Sequence, residues 1–88
     1  MKSRTTLEFW KRYHRLPEAI QRLADRCYET WLENPRHPSI RFKKLEGHDT
    51  LYSARVGADY RALAHFDGGT AVWIWIGSHA DYDKITGR

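Results

Sequence analysis

The chain has 88 residues, one cysteine and a net charge of +4 from 15 Lys+Arg against 11 Asp+Glu. A chain this short buries one hydrophobic core, not two, and 4 Trp, 5 Tyr and 3 Phe within a 41% hydrophobic composition exclude a disordered protein. The lone Cys27 excludes an internal disulfide framework and a cysteine-based zinc site, and its usage fits a reducing compartment.

In chain order, Lys2–Arg4 is compatible with a short edge strand. Leu7, Trp10 and Tyr13, with Phe9 beside them, recur at helical spacing opposite Glu8, Lys11, Arg12 and Arg15. Thr5 or Thr6 is suited to cap that helix, since a hydroxyl accepts from the free amides of the first turn. Pro17 suits the first turn of a second helix. There Ile20, Leu23, Ala24, Cys27 and Trp31 form an apolar stripe that Tyr28 extends. Asn34-Pro35 closes it, because the residue before a proline leaves the α region.

The remainder reads as antiparallel sheet. Strands are expected over Ile40–Leu45, Leu51–Val56, Tyr60–Phe66 and Ala71–Ile76, with Asp67-Gly68-Gly69-Thr70 as a hairpin turn whose glycines accept positive φ. The last strand is wholly apolar and reads as central, with Trp73 and Trp75 filling the core from one side. The chain leaves it at Gly77, and Ser78 with Asp81 is a weak capping box that starts a short terminal helix. The expected architecture is α+β: an N-terminal helical hairpin packed on a four-stranded antiparallel sheet with a short C-terminal helix, one domain over residues 1–88.

The longest apolar run, Ala71–Ile76, is far below the ~20 residues of a spanning helix. No 7–15-residue apolar stretch follows Met1-Lys2-Ser3-Arg4, as a signal peptide requires. A cytoplasmic chain with no membrane partner is expected. The scattered histidines have no zinc-ligand spacing, so neither a metal nor a cofactor is expected. Cys27, inside an apolar stripe, reads as a buried inert thiol.

Charge is uneven: residues 1–44 hold 11 basic and 5 acidic side chains, residues 45–88 hold 4 and 6. Strand alternation sorts the cations by face. Lys43, Arg55 and Arg61 fall on the face away from the helices, Arg41 shares the face of Lys43, and Lys44 falls on the other. His79 and Tyr82 leave the sheet edge beside them. Such a set suits cleavage of an RNA phosphodiester. One group takes the 2′-hydroxyl proton, cations stabilise charge on the phosphorane, and another group protonates the leaving 5′-oxygen. Arginine matches phosphate oxygens and histidine titrates near neutrality. Arg41, Lys43 and Lys44, in the acid-free stretch 36–44, form a track for backbone phosphates. No carboxylate is clearly placed as the base. Glu46 is a candidate by proximity alone, and His79 suits either acid or base.

Three segments together resemble the RelE/ParE toxin superfamily, and its HigB- and RelE-like members above all. They are Phe42-Lys43-Lys44-Leu45-Glu46-Gly47, then Tyr52-Ser53-Ala54-Arg55-Val56-Gly57-Ala58-Asp59-Tyr60-Arg61-Ala62-Leu63, then Trp75-Ile76-Gly77-Ser78-His79-Ala80-Asp81-Tyr82-Asp83-Lys84-Ile85. The resemblance implies a toxin of a type II toxin–antitoxin pair. Such toxins either cut mRNA in the ribosomal A site or, in the ParE-like branch, inhibit DNA gyrase. It implies an antitoxin partner, with mRNA and the ribosome as targets in the first case. It implies that Arg55 matches a basic strand residue of the nuclease members and Arg61 their phosphate-stabilising arginine, that His79 stands where relatives carry Arg or His, and that Tyr82 lies near a C-terminal tyrosine. Ser53 stands where RelE has a lysine. A gyrase inhibitor, or a member that binds its antitoxin without catalysis, is the alternative.

Overall fold

The computed structural model describes residues 2–87. Strand β1 (Lys2–Thr5) leads into helix α1 (Leu7–Tyr13) and helix α2 (Glu18–Glu33). Strands β2 (Lys43–Lys44), β3 (Leu51–Val56), β4 (Tyr60–Asp67) and β5 (Thr70–Ser78) follow, and helix α3 (His79–Thr86) closes the chain. The sheet order is β1-β5-β4-β3-β2. The antiparallel meander matches the sequence expectation, but a fifth strand joins it. The edge segment at Lys2–Thr5 pairs parallel to β5, making the sheet mixed and β5 internal.

Local chemistry explains most boundaries. Thr6 caps α1, its hydroxyl accepting from the Phe9 N–H at 3.2 Å and donating to the Trp73 carbonyl at 3.2 Å. One side chain thus both starts the helix and ties it to β5. The buried side of α1 differs from the expected stripe. Phe9 and Tyr13 pack on the core, whereas Leu7 is 73% and Trp10 41% exposed. Phe9 and Tyr13 are four apart, one turn on the same face, while the Trp10 indole turns back to donate to the Thr5 hydroxyl at 2.7 Å. Helix α2 begins after Pro17 and buries Ala24 and Trp31 against the sheet.

The expected first strand, Ile40–Leu45, is cut to Lys43–Lys44. Arg41 has φ +48°, a left-handed conformation that is uncommon outside glycine and breaks strand alternation. The segment remains anchored, since the Ile40 carbonyl accepts from the Arg55 N–H at 2.6 Å.

The largest departure lies in β5. Leu63 pairs with Trp75 and Ala64 with Trp73, leaving Ile74 as an extra residue in a β-bulge. Alternation therefore shifts by one, and the two tryptophans do not share a side. Trp73 packs with Trp31, Ala64, Ala71 and Ile76 beneath the helices. Trp75 packs with Leu45, Leu63 and Tyr82 on the opposite face. Strand β5 also runs through Gly77 and Ser78, paired with Arg61 and Tyr60, rather than ending at Gly77. Among the described residues, no helix is long and apolar enough to cross a membrane.

Candidate functional site

The face away from the helices carries the cations. Arg55 of β3 and Arg61 of β4 are direct cross-strand partners. Like charges placed opposite each other destabilise a sheet, so the local energetics oppose the pair. The turn between the strands holds both guanidinium groups. Arg55 Nε donates to the Gly57 carbonyl at 3.0 Å, and Arg61 Nη1 donates to the Tyr60 carbonyl at 2.7 Å and to those of Gly57 and Ala58 at 3.4 Å. Gly57 sits at φ +66°, which a side chain would strain, and a Cβ there would lie 2.6 Å from Leu23 Cδ2.

Burial is the main cause that lowers Arg61 from the usual arginine range. The Arg55 and Arg41 cations push the same way, while Tyr82 and Asp83 oppose them. Among the described residues, no carboxylate lies within ion-pair distance of Arg41, Lys43, Arg55 or Arg61. Four clustered cations with no carboxylate in ion-pair contact attract an anionic ligand.

The terminal helix supplies the rest. Ser78 is its N-cap, accepting from the Asp81 N–H at 3.1 Å. The His79 N–H donates to the Asp59 carbonyl at 2.7 Å, fastening the start of α3 to the β3–β4 turn that holds the arginines. His79 Nε2 lies 3.3 Å from Asp83 Oδ1, one turn along the helix. The Tyr82 ring is buried against Trp75, with centroids 6.5 Å apart, and meets His79 edge-on at 6.1 Å. Gly77 makes room for this layer: a Cβ there would come within 2.7 Å of the Trp75 ring.

These groups enclose a depression of about 170 Å³. All seven residues singled out from the sequence line it: Arg41, Lys43, Lys44, Arg55, Arg61, His79 and Tyr82. Lys44, expected on the other face, reaches this rim, with its ammonium donating to the His48 carbonyl at 2.9 Å. Ser53 and Leu45 complete the wall. The carboxylate at the site is Asp83, not Glu46, which does not line the depression. The signal for Asp83 was its i, i+4 relation to His79 on a helix. Among the described residues, no cluster of three or more His, Cys, Asp or Glu could hold a metal ion.

A family model described as the ParE-like toxin domain matches residues 18–84, more than half of the chain. The chain belongs to this family, within the RelE/ParE toxin superfamily. Solved structures carry the same fold. A chain of the RelB-RelE antitoxin-toxin complex from Methanococcus jannaschii is 18% identical, with TM-score 0.74, covering 92% of this chain and 95% of that one. The YoeB/ParE toxin from Agrobacterium tumefaciens is 20% identical, with TM-score 0.69, covering 90% and 99%. A chain of the intact RelBE toxin-antitoxin complex from E. coli is 18% identical, with TM-score 0.66, covering 86% and 93%. No curated protein sequence matches.

Proposed function

We propose that this ParE-like chain is the toxin of a type II toxin–antitoxin pair and cuts mRNA, in association with the ribosome, by attack of the 2′-hydroxyl. The observation that supports the reading is the convergence of Arg55, Arg61, His79 and Tyr82 on one depression whose cations have no carboxylate partner. A phosphodiester supplies the missing anion. Arg61 and Arg55, preset by the turn carbonyls, hydrogen-bond the non-bridging oxygens and stabilise the charge that builds on phosphorus. Their mutual repulsion is relieved by the same charge, so they favour the transition state over the empty site.

His79 takes the 2′-hydroxyl proton, and Asp83 steadies the imidazolium that forms. The 2′-oxygen bonds to phosphorus while the bond to the 5′-oxygen breaks, and Tyr82 gives its proton to that leaving oxygen. The products are a 2′,3′-cyclic phosphate and a 5′-hydroxyl. Arg41, Lys43 and Lys44 on the rim grip the flanking phosphates. The partner that restrains this activity is a cognate antitoxin, and both act in the cytoplasm.

Induction of the chain in bacteria, followed by mapping of mRNA 5′ ends, tests the reading. Cuts clustered within codons, absent for Arg61→Ala, are expected. Unchanged transcripts would overturn it. Lost DNA supercoiling with intact mRNA would point to gyrase instead, and neither effect with retained antitoxin binding would mark a non-catalytic member.

A further inference from the structure

A hollow of about 310 Å³ lies under the helices, walled chiefly by apolar groups of α1, α2 and the sheet. The buried polar side chain lies on the other side of the sheet, at the cationic depression. Among the described residues, Ser53 is the one polar residue outside the aromatics that is buried, at 5% exposure, and it lines the depression with Arg55 and Arg61. Alternation along β3 puts it on the face of Arg55, two positions away. Its cross-strand partners are Lys43 on β2 and Leu63 on β4. No side-chain hydrogen bond joins the Ser53 hydroxyl to another described residue. Unlike the Trp31 and Trp73 indole nitrogens it is not sealed in, so the surface it keeps opens on the depression. Buried hydroxyls are as a rule paired, and this one lacks an acceptor for its proton. Lys43 and Arg55 only donate, and Leu63 offers hydrocarbon.

We infer that the Ser53 hydroxyl donates to a non-bridging oxygen of the phosphate held by Arg55 and Arg61, and so is a substrate-binding residue of this depression. The inference rests on the phosphodiester reading of the site given above. An anion is the acceptor that the neighbouring donors lack, and a hydrogen bond to an anion is stronger than one between neutral groups. The residue type suits the place. A further cation this deep is costly to desolvate and adds to the repulsion between Arg55 and Arg61, whereas a hydroxyl donates without charge. It is also small, which lets the phosphate approach the strand closely. Ser53 and Arg55 are about 7 Å apart along the strand, a gap that one phosphate spans when it accepts a hydrogen bond at each end. An alanine would occupy the position without leaving a hydroxyl unpaired in the empty site, so the serine costs stability until a ligand binds.

A 2′-deoxy trinucleotide keeps the phosphodiester but lacks the nucleophile, so it reports binding without cleavage. It is titrated into the full chain and into Ser53→Ala and Ser53→Cys, with affinities read by ¹H–¹⁵N correlation. The parent should bind, and Ser53→Ala should bind roughly ten- to a hundredfold more weakly, the ratio for one hydrogen bond to a charged group. Ser53→Cys restores the bulk but donates weakly, and should bind as poorly as the alanine variant. Ser53→Ala should melt within about 4–8 °C of the parent or above it, because its hydroxyl has no partner to lose. Equal affinity of the parent and Ser53→Ala, or recovery in Ser53→Cys, would overturn the inference and leave the serine as packing. So would a larger drop in the melting temperature of Ser53→Ala, which would make the hydroxyl a structural group. A parent that binds with the expected pattern but leaves mRNA intact would sink RNA cleavage and keep the inference. A parent that does not bind the trinucleotide would sink both.

Discussion

The two faces of this sheet are built from the same five strands and do opposite things with them. On the helix-covered face, Trp31, Trp73, Ala64 and Ile76 take their place in an apolar core whose gain is stability. On the other face, Arg55 stands directly opposite Arg61, with Arg41 and Lys43 nearby, an arrangement that costs stability and has no compensating carboxylate within ion-pair distance. A bulge at Ile74 joins the two regimes, sending one tryptophan to each. One layer supplies the rigidity on which the other can hold unfavourable charge at fixed geometry.

Substitutions on each side can break that division. The largest effect is expected for Trp73→Ala: loss of about 3–5 kcal/mol in chemical denaturation, as for other large aromatic truncations in cores. A loss below 1 kcal/mol would mean that the helix face is not the main store of stability. On the charged face, Arg61→Met should reduce mRNA cleavage about 10²–10³-fold, the size seen when one transition-state donor is removed. Its melting temperature should fall by no more than about 4–8 °C, the equivalent of roughly 1 kcal/mol in a domain of this size, or rise. Burial and the Arg55 cation hold Arg61 below the usual arginine range, so its charged form is disfavoured in the folded state. That cost is present at every pH below the depressed value and is relieved only as pH climbs through it. A neutral residue removes it outright.

Smaller effects probe the links between the faces. Gly57→Ala places a side chain at φ +66° against Leu23, with an expected cost of about 1–3 kcal/mol for the strained backbone. Cleavage should fall with it, because the Gly57 carbonyl anchors both arginines. Unchanged cleavage would show that the anchor is dispensable. Ser78→Ala should cost about 1 kcal/mol through the lost cap and fray the turn that carries His79. Hydrogen exchange in α3 would report it. Tyr13→Phe should have the smallest consequence at neutral pH. Burial, and then its bond to Asp25, raise the Tyr13 phenol above its ordinary value. Its contribution is therefore complete below about pH 10 and fades as pH rises through the raised value. An alkaline unfolding series should show a shallower decline for the variant.

Much of this was legible along the chain. Asn34-Pro35 ended α2, the Gly68-Gly69 pair turned β4 into β5, and Ser78 opened α3, because each boundary is set by backbone chemistry within a few residues. Arg55 and Arg61 reach the depression on the expected face because alternation along β3 and β4 holds without interruption up to Leu63, whereas Lys44, expected on the other face, reaches its rim all the same. The failures share one cause. The side taken by Trp75, the shortened β2 and the inward side of α1 each depend on a shift of a single residue that packing decides. Asp83 rather than Glu46 reached the site for a related reason. The β2–β3 loop is free to turn Glu46 away, whereas a helix holds positions 79 and 83 on one face.

Local chemistry in the sequence by itself determined the element types, nearly all the turns, and the face on which Lys43, Arg55 and Arg61 gather. Tertiary structure alone decided the bulge that divides the tryptophans, the parallel β1 that makes β5 internal, and the hollow under the helices. Those features arise where segments distant along the chain compete for the same space, and a one-residue register shift settles the outcome.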